Sequence, residues 1–233
     1  MIVAAAFCPS PPLLIPPLTG GARVLPDLRQ ACGDLVAGLL AGGPEVVVVV
    51  GGGETTAHWP EGTSAGPGAF APGAGLAGGD VPSSVLIGGW LLEREGYAGE
   101  RLLLSVDCAE PVAGCARIGA GLADGSRRVA LLAMGDGSAC RDPKAPGYLD
   151  PRSHAFDAGI ERAVRAGDLE ALLRIEPGLA AELLVTGRVA WQVLAGALAG
   201  VPVETAVRYC DDPFGVAYLA ASVSVRVREA RDV

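Results

Sequence analysis

Arg128-Val129-Ala130-Leu131-Leu132-Ala133-Met134-Gly135-Asp136-Gly137-Ser138-Ala139 is the stretch that decides the fold. After Arg128, six residues form an unbroken apolar run, then the chain turns polar at a glycine. An uninterrupted run of this length reads as a strand covered on both faces, as in a sheet flanked by helices. The acidic and hydroxyl-bearing loop that follows lies at the strand's carboxyl end, where open α/β sheets carry their sites. Working outward, residues 2–7 and 46–50 give the same signal, and residues 101–106 give a further strand. Between the first two, Leu28, Cys32, Leu35, Val36 and Leu39 recur at helical spacing over residues 27–40, which makes a right-handed strand–helix–strand unit. Residues 9–17 are too rich in proline for regular structure.

The remaining elements follow from the same periodicities. Residues 84–94 and 111–122 read as helices, as do 156–166, 168–175 and 177–199; residues 203–209 and 216–227 read as closing strands. Residues 51–83 are dominated by Gly, Pro, Ala and Ser, so 60–83 is expected to be a flexible loop within a single domain spanning 1–233. The fold class is therefore α/β: a three-layer αβα sandwich with a central mixed sheet and helices on both faces.

Composition restricts the function. The net charge is −8, with one lysine, Lys144, beside 17 arginines, so there is no basic face for nucleic acid or an anionic membrane. The first apolar run is too short to span a bilayer and no basic residue precedes it. Cys8, Cys32, Cys108, Cys115, Cys140 and Cys210 follow no metal or secreted-domain spacing, which fits thiols in a reducing cytoplasm. The apolar composition points to a homo-oligomer.

The strand and loop at 128–139, a later helix opening at His154-Ala155-Phe156-Asp157, and the run Trp191-Gln192-Val193-Leu194-Ala195-Gly196-Ala197-Leu198 together resemble the LigB-like family. These are the catalytic subunits of class III extradiol ring-cleavage dioxygenases. The resemblance implies ferrous iron held by two histidines and an acidic residue, with an acid/base histidine in a Gly-Asp-x-Ser-His loop. At the positions it implies, this chain has Ser10 for the first ligand, Gly53 for the second, Thr186-Gly187 for the acidic one and Ala139 for the acid/base histidine. None of these side chains is a competent ligand for ferrous iron. No metal is expected on this reading; if the family chemistry survives, the fallback ligands are Glu182, His58 and His154.

Other residues admit two readings each. Gly51-Gly52-Gly53-Glu54 offers backbone amides for an anion or simply permits close packing; it is neither a P-loop nor a dinucleotide fingerprint. Arg188 either clamps an anion or pairs with a local acid. His58 belongs to a lid or to an exposed loop, and His154 to a helix start. Asp107, Cys108 and Glu110 follow a strand, and Asp211-Asp212-Pro213 forms a turn whose acids are structural or an acid/base pair. The expected function is a divergent homologue without iron site or ring-opening activity, binding a small molecule in the strand-end cleft or partnering another subunit. The alternatives are a different chemistry built on Asp136, Ser138, Arg188 and His58, or a ring-opening dioxygenase with an atypical ligand set.

Overall fold

The computed structural model describes residues 1–20, 22–60, 63 and 81–226. Among these residues seven strands form one mixed sheet: β1 (Ile2–Cys8), β2 (Val46–Gly53), β3 (Ala57–Trp59), β4 (Glu100–Asp107), β5 (Val129–Met134), β6 (Val203–Asp211) and β7 (Tyr218–Val225). Their order is β3-β4-β2-β5-β1-β7-β6. β4, β2, β5 and β1 are parallel, while β3 and β7 run against their neighbours. The described residues hold six α-helices, α1 (Pro26–Ala41), α2 (Ser83–Arg94), α3 (Val112–Ala123), α4 (Arg152–Ala166), α5 (Pro177–Glu182) and α6 (Arg188–Ala197).

The unbroken apolar strands are buried on both faces, as their composition requires. One core joins Phe7, Val48, Val50, Leu131 and Val223 to α4 and α6. The other joins Ala6, Cys8, Val49, Leu132 and Met134 to α1 and α2. Successive residues of each strand thus serve opposite layers, giving the expected three-layer sandwich. α6 is buried along its whole length, and its close approach to α3 depends on glycine. A Cβ on Gly119 would lie 2.0 Å from the Val193 carbonyl oxygen, and one on Gly196 2.6 Å from Ala116 Cα.

Several elements differ from the sequence expectation. The apolar run 177–199 is two helices rather than one, because the chain turns at Leu184, which has a φ of 56°. The expected helix over 168–175 is a 3-10 segment, Leu169–Arg174, started by the Asp168 carboxylate accepting from Ala171 N–H. Short 3-10 turns, Pro12–Leu14 and Pro16–Thr19, occupy the proline-rich stretch. Within 51–83 the structure adds β3, whose Trp59 indole donates to Ser105 Oγ at 3.0 Å. The expected flexible loop 60–83 falls mostly outside the described residues, as does residue 227 of the last expected strand. No helix among the described residues is long and apolar enough to cross a membrane.

Candidate functional site

The β1 and β5 loops leave the sheet towards opposite layers, to α1 and α4, although the two strands are adjacent. Such a switch point opens a crevice at the carboxyl ends of the strands. The registers determine what stands there. Cys8 pairs with Met134, Gly51 with Met134, and Phe7 with Ala221. Continued beyond the last paired residues, these registers put Gly53, Asp136, Ser10 and Tyr218 in one row across the strand tops. The Ser10 N–H donates to Asp136 Oδ1 at 2.8 Å, which closes the row at its centre.

The backbone around Asp136 is clamped. Its N–H donates to Thr186 Oγ1 at 2.9 Å, and its carbonyl accepts from Gly187 N–H at 2.9 Å. Gly135 makes this possible, since a Cβ there would lie 2.3 Å from Gly187 Cα. Among the described residues the carboxyl itself has one donor, the Ser10 N–H. Burial pushes its pKa up to about 7, and the Ser10 N–H opposes this only in part. No cationic side chain among the described residues offsets the burial. The Asp136 charge is felt by two neighbours. The Cys8 thiol is pushed well up, first by its contact with Cys32, then by burial, and also by Asp136. The Tyr218 phenol is raised by burial and then by Asp136.

Two residues beyond Asp136 the chemistry changes. Ser138 is fully buried, and its N–H donates to Asp157 Oδ1 at 3.0 Å while its hydroxyl donates to the other carboxylate oxygen. Arg141 bridges Asp157, at 3.0 Å, and Asp212 on the turn after β6. This network binds the β5 loop to α4 and to the β6–β7 turn. His154 lines a groove of about 220 Å³ beside it, together with Glu161, Cys210 and Asp211.

The other expected site residues are engaged elsewhere. Arg188 is buried and donates to the Cys108 carbonyl, to the Glu110 carbonyl at 2.9 Å and to Gln192 Oε1 at 3.0 Å. It ties down the β4–α3 loop and has no side-chain acid as partner among these bonds. Asp107 accepts from Ala109 N–H at 2.7 Å, a local turn. Glu182, a fallback ligand four residues before Thr186, ends α5 and pairs with Arg152 at 2.7 Å on the surface. His58 is exposed on the edge strand β3, opposite Leu104. Sequence reasoning found Ser10, Gly53 and Asp136, but missed Tyr218 and Pro82. The signal for Tyr218 was an aromatic residue at the start of a closing strand.

The residues do not fit ferrous iron. Ser10, Gly53, Gly187 and Ala139 supply neither imidazole nor carboxylate, which leaves Asp136 alone in the row. Two of these positions are also closed to a larger side chain. A Cβ on Gly53 would lie 2.6 Å from Pro82 Cγ, and one on Gly187 2.3 Å from the Trp191 ring. Ala139 is held by backbone, its N–H donating to the Leu183 carbonyl at 3.0 Å. Among the described residues no three His, Cys, Asp or Glu side chains are grouped to hold a metal ion.

Fold and row together define an α/β three-layer protein with one carboxyl group, Asp136, at the centre of its strand ends. No family model matches the chain, and no curated protein matches it. Among solved structures it is similar to the uncharacterized protein JW3007 from Escherichia coli K12, with a TM-score of 0.56 and 16% identity over 95% of this chain and 99% of that one. The likeness extends over nearly the whole of both chains and establishes the fold.

Proposed function

We propose that this chain is a divergent homologue of the class III extradiol dioxygenases that binds a small molecule at the strand ends without iron-dependent ring opening. The observation that carries the reading is Asp136, a carboxyl held by Ser10 between the two positions where the resemblance calls for histidine ligands. Extradiol cleavage requires a metal with open positions for both catecholate and dioxygen. The side chains present supply one carboxylate towards that set.

On this reading Asp136 orients the ligand, Ser10 orients Asp136, and Thr186 with Gly187 fixes the loop that carries it. A carboxyl titrating near neutrality is also suited to moving a proton, which favours a second reading: acid/base chemistry on the bound molecule. The reading includes self-association, since Tyr148, Leu149, Leu184 and Phe214 stand exposed, and a cytoplasmic setting in which the six free cysteines stay reduced. Sedimentation of the purified chain tests the first of these.

The test of function is elemental analysis of the tag-free protein after anaerobic incubation with ferrous iron, with oxygen uptake followed on addition of catechol. The expected result is substoichiometric iron and no uptake. Stoichiometric iron with catechol-dependent uptake would overturn the reading.

A further inference from the structure

The row holds more unpaired polar groups than a closed strand end tolerates. Ser10 is 7% exposed and Tyr218 4%, yet neither hydroxyl has a hydrogen-bond partner among the described residues. Asp136 Oδ2 likewise has none, its only side-chain bond being that from Ser10 N–H to Oδ1. The sealed, unpartnered side-chain atoms of the described residues are Arg29 Nε and Trp191 Nε1. The three oxygens of the row are not among them, so each still opens onto reachable space. Three polar oxygens that register sets side by side at the strand ends, largely shielded yet reachable and without a protein partner, suit an incoming molecule.

The chemistry of that molecule follows from what the row contains. All three oxygens accept hydrogen bonds, and one belongs to a carboxylate. Among the described residues no arginine, lysine or histidine counters its charge. Arg188 and Arg141, the cations on the neighbouring loops, are spent on carbonyls and on Asp157 and Asp212. A carboxylate or phosphate ligand would meet like charge with no compensating cation. A protonated amine supplies the positive charge and several N–H donors at once.

We propose that the strand-end crevice takes an organic cation, a protonated amine whose ammonium sits on Asp136 and is shared with the hydroxyls of Ser10 and Tyr218. This rests on the reading of the crevice as a metal-free binding site and deepens it by naming the ligand class. Tyr218 is anchored from below, since it belongs to the core on the α1 side with Cys8 and Ala220. Because the ammonium competes with a proton for the same carboxyl, affinity rises as Asp136 ionises.

The test is calorimetric titration of the full chain with three probes that share a ring: phenethylamine as cation, benzoate as anion and catechol as neutral diol. Each is measured with chelator present and again with anaerobic ferrous iron. The expected result is that phenethylamine binds, with affinity about tenfold higher at pH 8 than at pH 6, while benzoate does not. Asp136→Asn, which keeps the Ser10 hydrogen bond and the side-chain volume, lowers the amine affinity by about thirtyfold or more, and Tyr218→Phe by about threefold to tenfold. Thermal melts of both variants confirm folding. Benzoate or catechol binding with chelator present, undiminished in Asp136→Asn, would overturn the ligand class while leaving a metal-free site. Catechol binding that appears only with ferrous iron would overturn the underlying reading as well. Binding of none of the three would overturn the inference.

Discussion

Two clusters of polar side chains lie within three residues of each other after β5, and they are opposites. In the network of Ser138, Asp157, Arg141 and Asp212 every charge has a partner and each link joins two elements. In the row of Ser10, Asp136 and Tyr218 the one charge has a single N–H donor, and two hydroxyls have no partner among the described residues. The first resembles an active site on paper, with serine, two acids and an arginine, yet its geometry is that of a fastener. The second is poorer in reactive residue types and is the better candidate. Saturation of hydrogen bonds, rather than density of polar groups, separates a structural cluster from a functional one.

The contrast can be broken from the structural side first. Arg141→Met leaves the Asp157 carboxylate, whose side chain is 10% exposed, without its cation. Removing one partner of a buried pair strands the other, and chemical denaturation should show a loss of about 2–4 kcal/mol. A cost below about 0.5 kcal/mol would mean that the network is not the fastener described. Next comes the closed ligand position. Gly53→Ala pushes a methyl group against Pro82, 2.6 Å away, and should cost about 1–3 kcal/mol in the same assay. If it costs nothing, the strand end has room for a ligand side chain, and the argument against iron loses its steric half.

The open row should respond with the other sign. Asp136 keeps its proton in the folded state up to about pH 7 but loses it near 3.8 when unfolded. Between those values the folded state binds more protons, so stability falls as pH rises and levels off above pH 7. Asp136→Asn removes this loss. It should match the parent near pH 4 and exceed it by about 1–2 kcal/mol at pH 8, a figure reduced for the half-buried position of the carboxyl. An Asn variant less stable than the parent at pH 8 would place Asp136 among the structural groups. The smallest effect belongs to His58→Ala: on the exposed edge strand it should change stability by less than about 0.5 kcal/mol and leave ligand binding intact.

The strands and the layer order were legible because unbroken runs such as Val46–Val50 and Val129–Met134 state both their conformation and their burial. The break between α5 and α6 was not, since apolar residues recur on both sides of it and Leu184, where the chain turns, is neither glycine nor proline. That break also removed Glu182 from the site, because a helical spacing was assumed where none exists. For the site, the family positions led to Ser10, Gly53 and Asp136, which sheet register does bring together. Tyr218 stayed hidden for the opposite reason. It enters the row through the antiparallel pairing of β7 with β1, a contact between residues some two hundred positions apart that no local pattern encodes. Ser138 and Arg188 were read as candidates for chemistry in the cleft, but sequence cannot tell a polar group with partners from one without.

The central claim is that Asp136 stands uncompensated in its crevice, and its own titration tests this most directly. The side-chain carboxyl can be followed by carbon NMR from pH 4 to 9, with Asp136→Asn used to assign the signal. The account predicts a midpoint near 7 that falls when phenethylamine is added. A midpoint near the ordinary aspartate value of about 4 would contradict it, showing the carboxyl to be solvated or paired and the row to be no more than the end of a sheet.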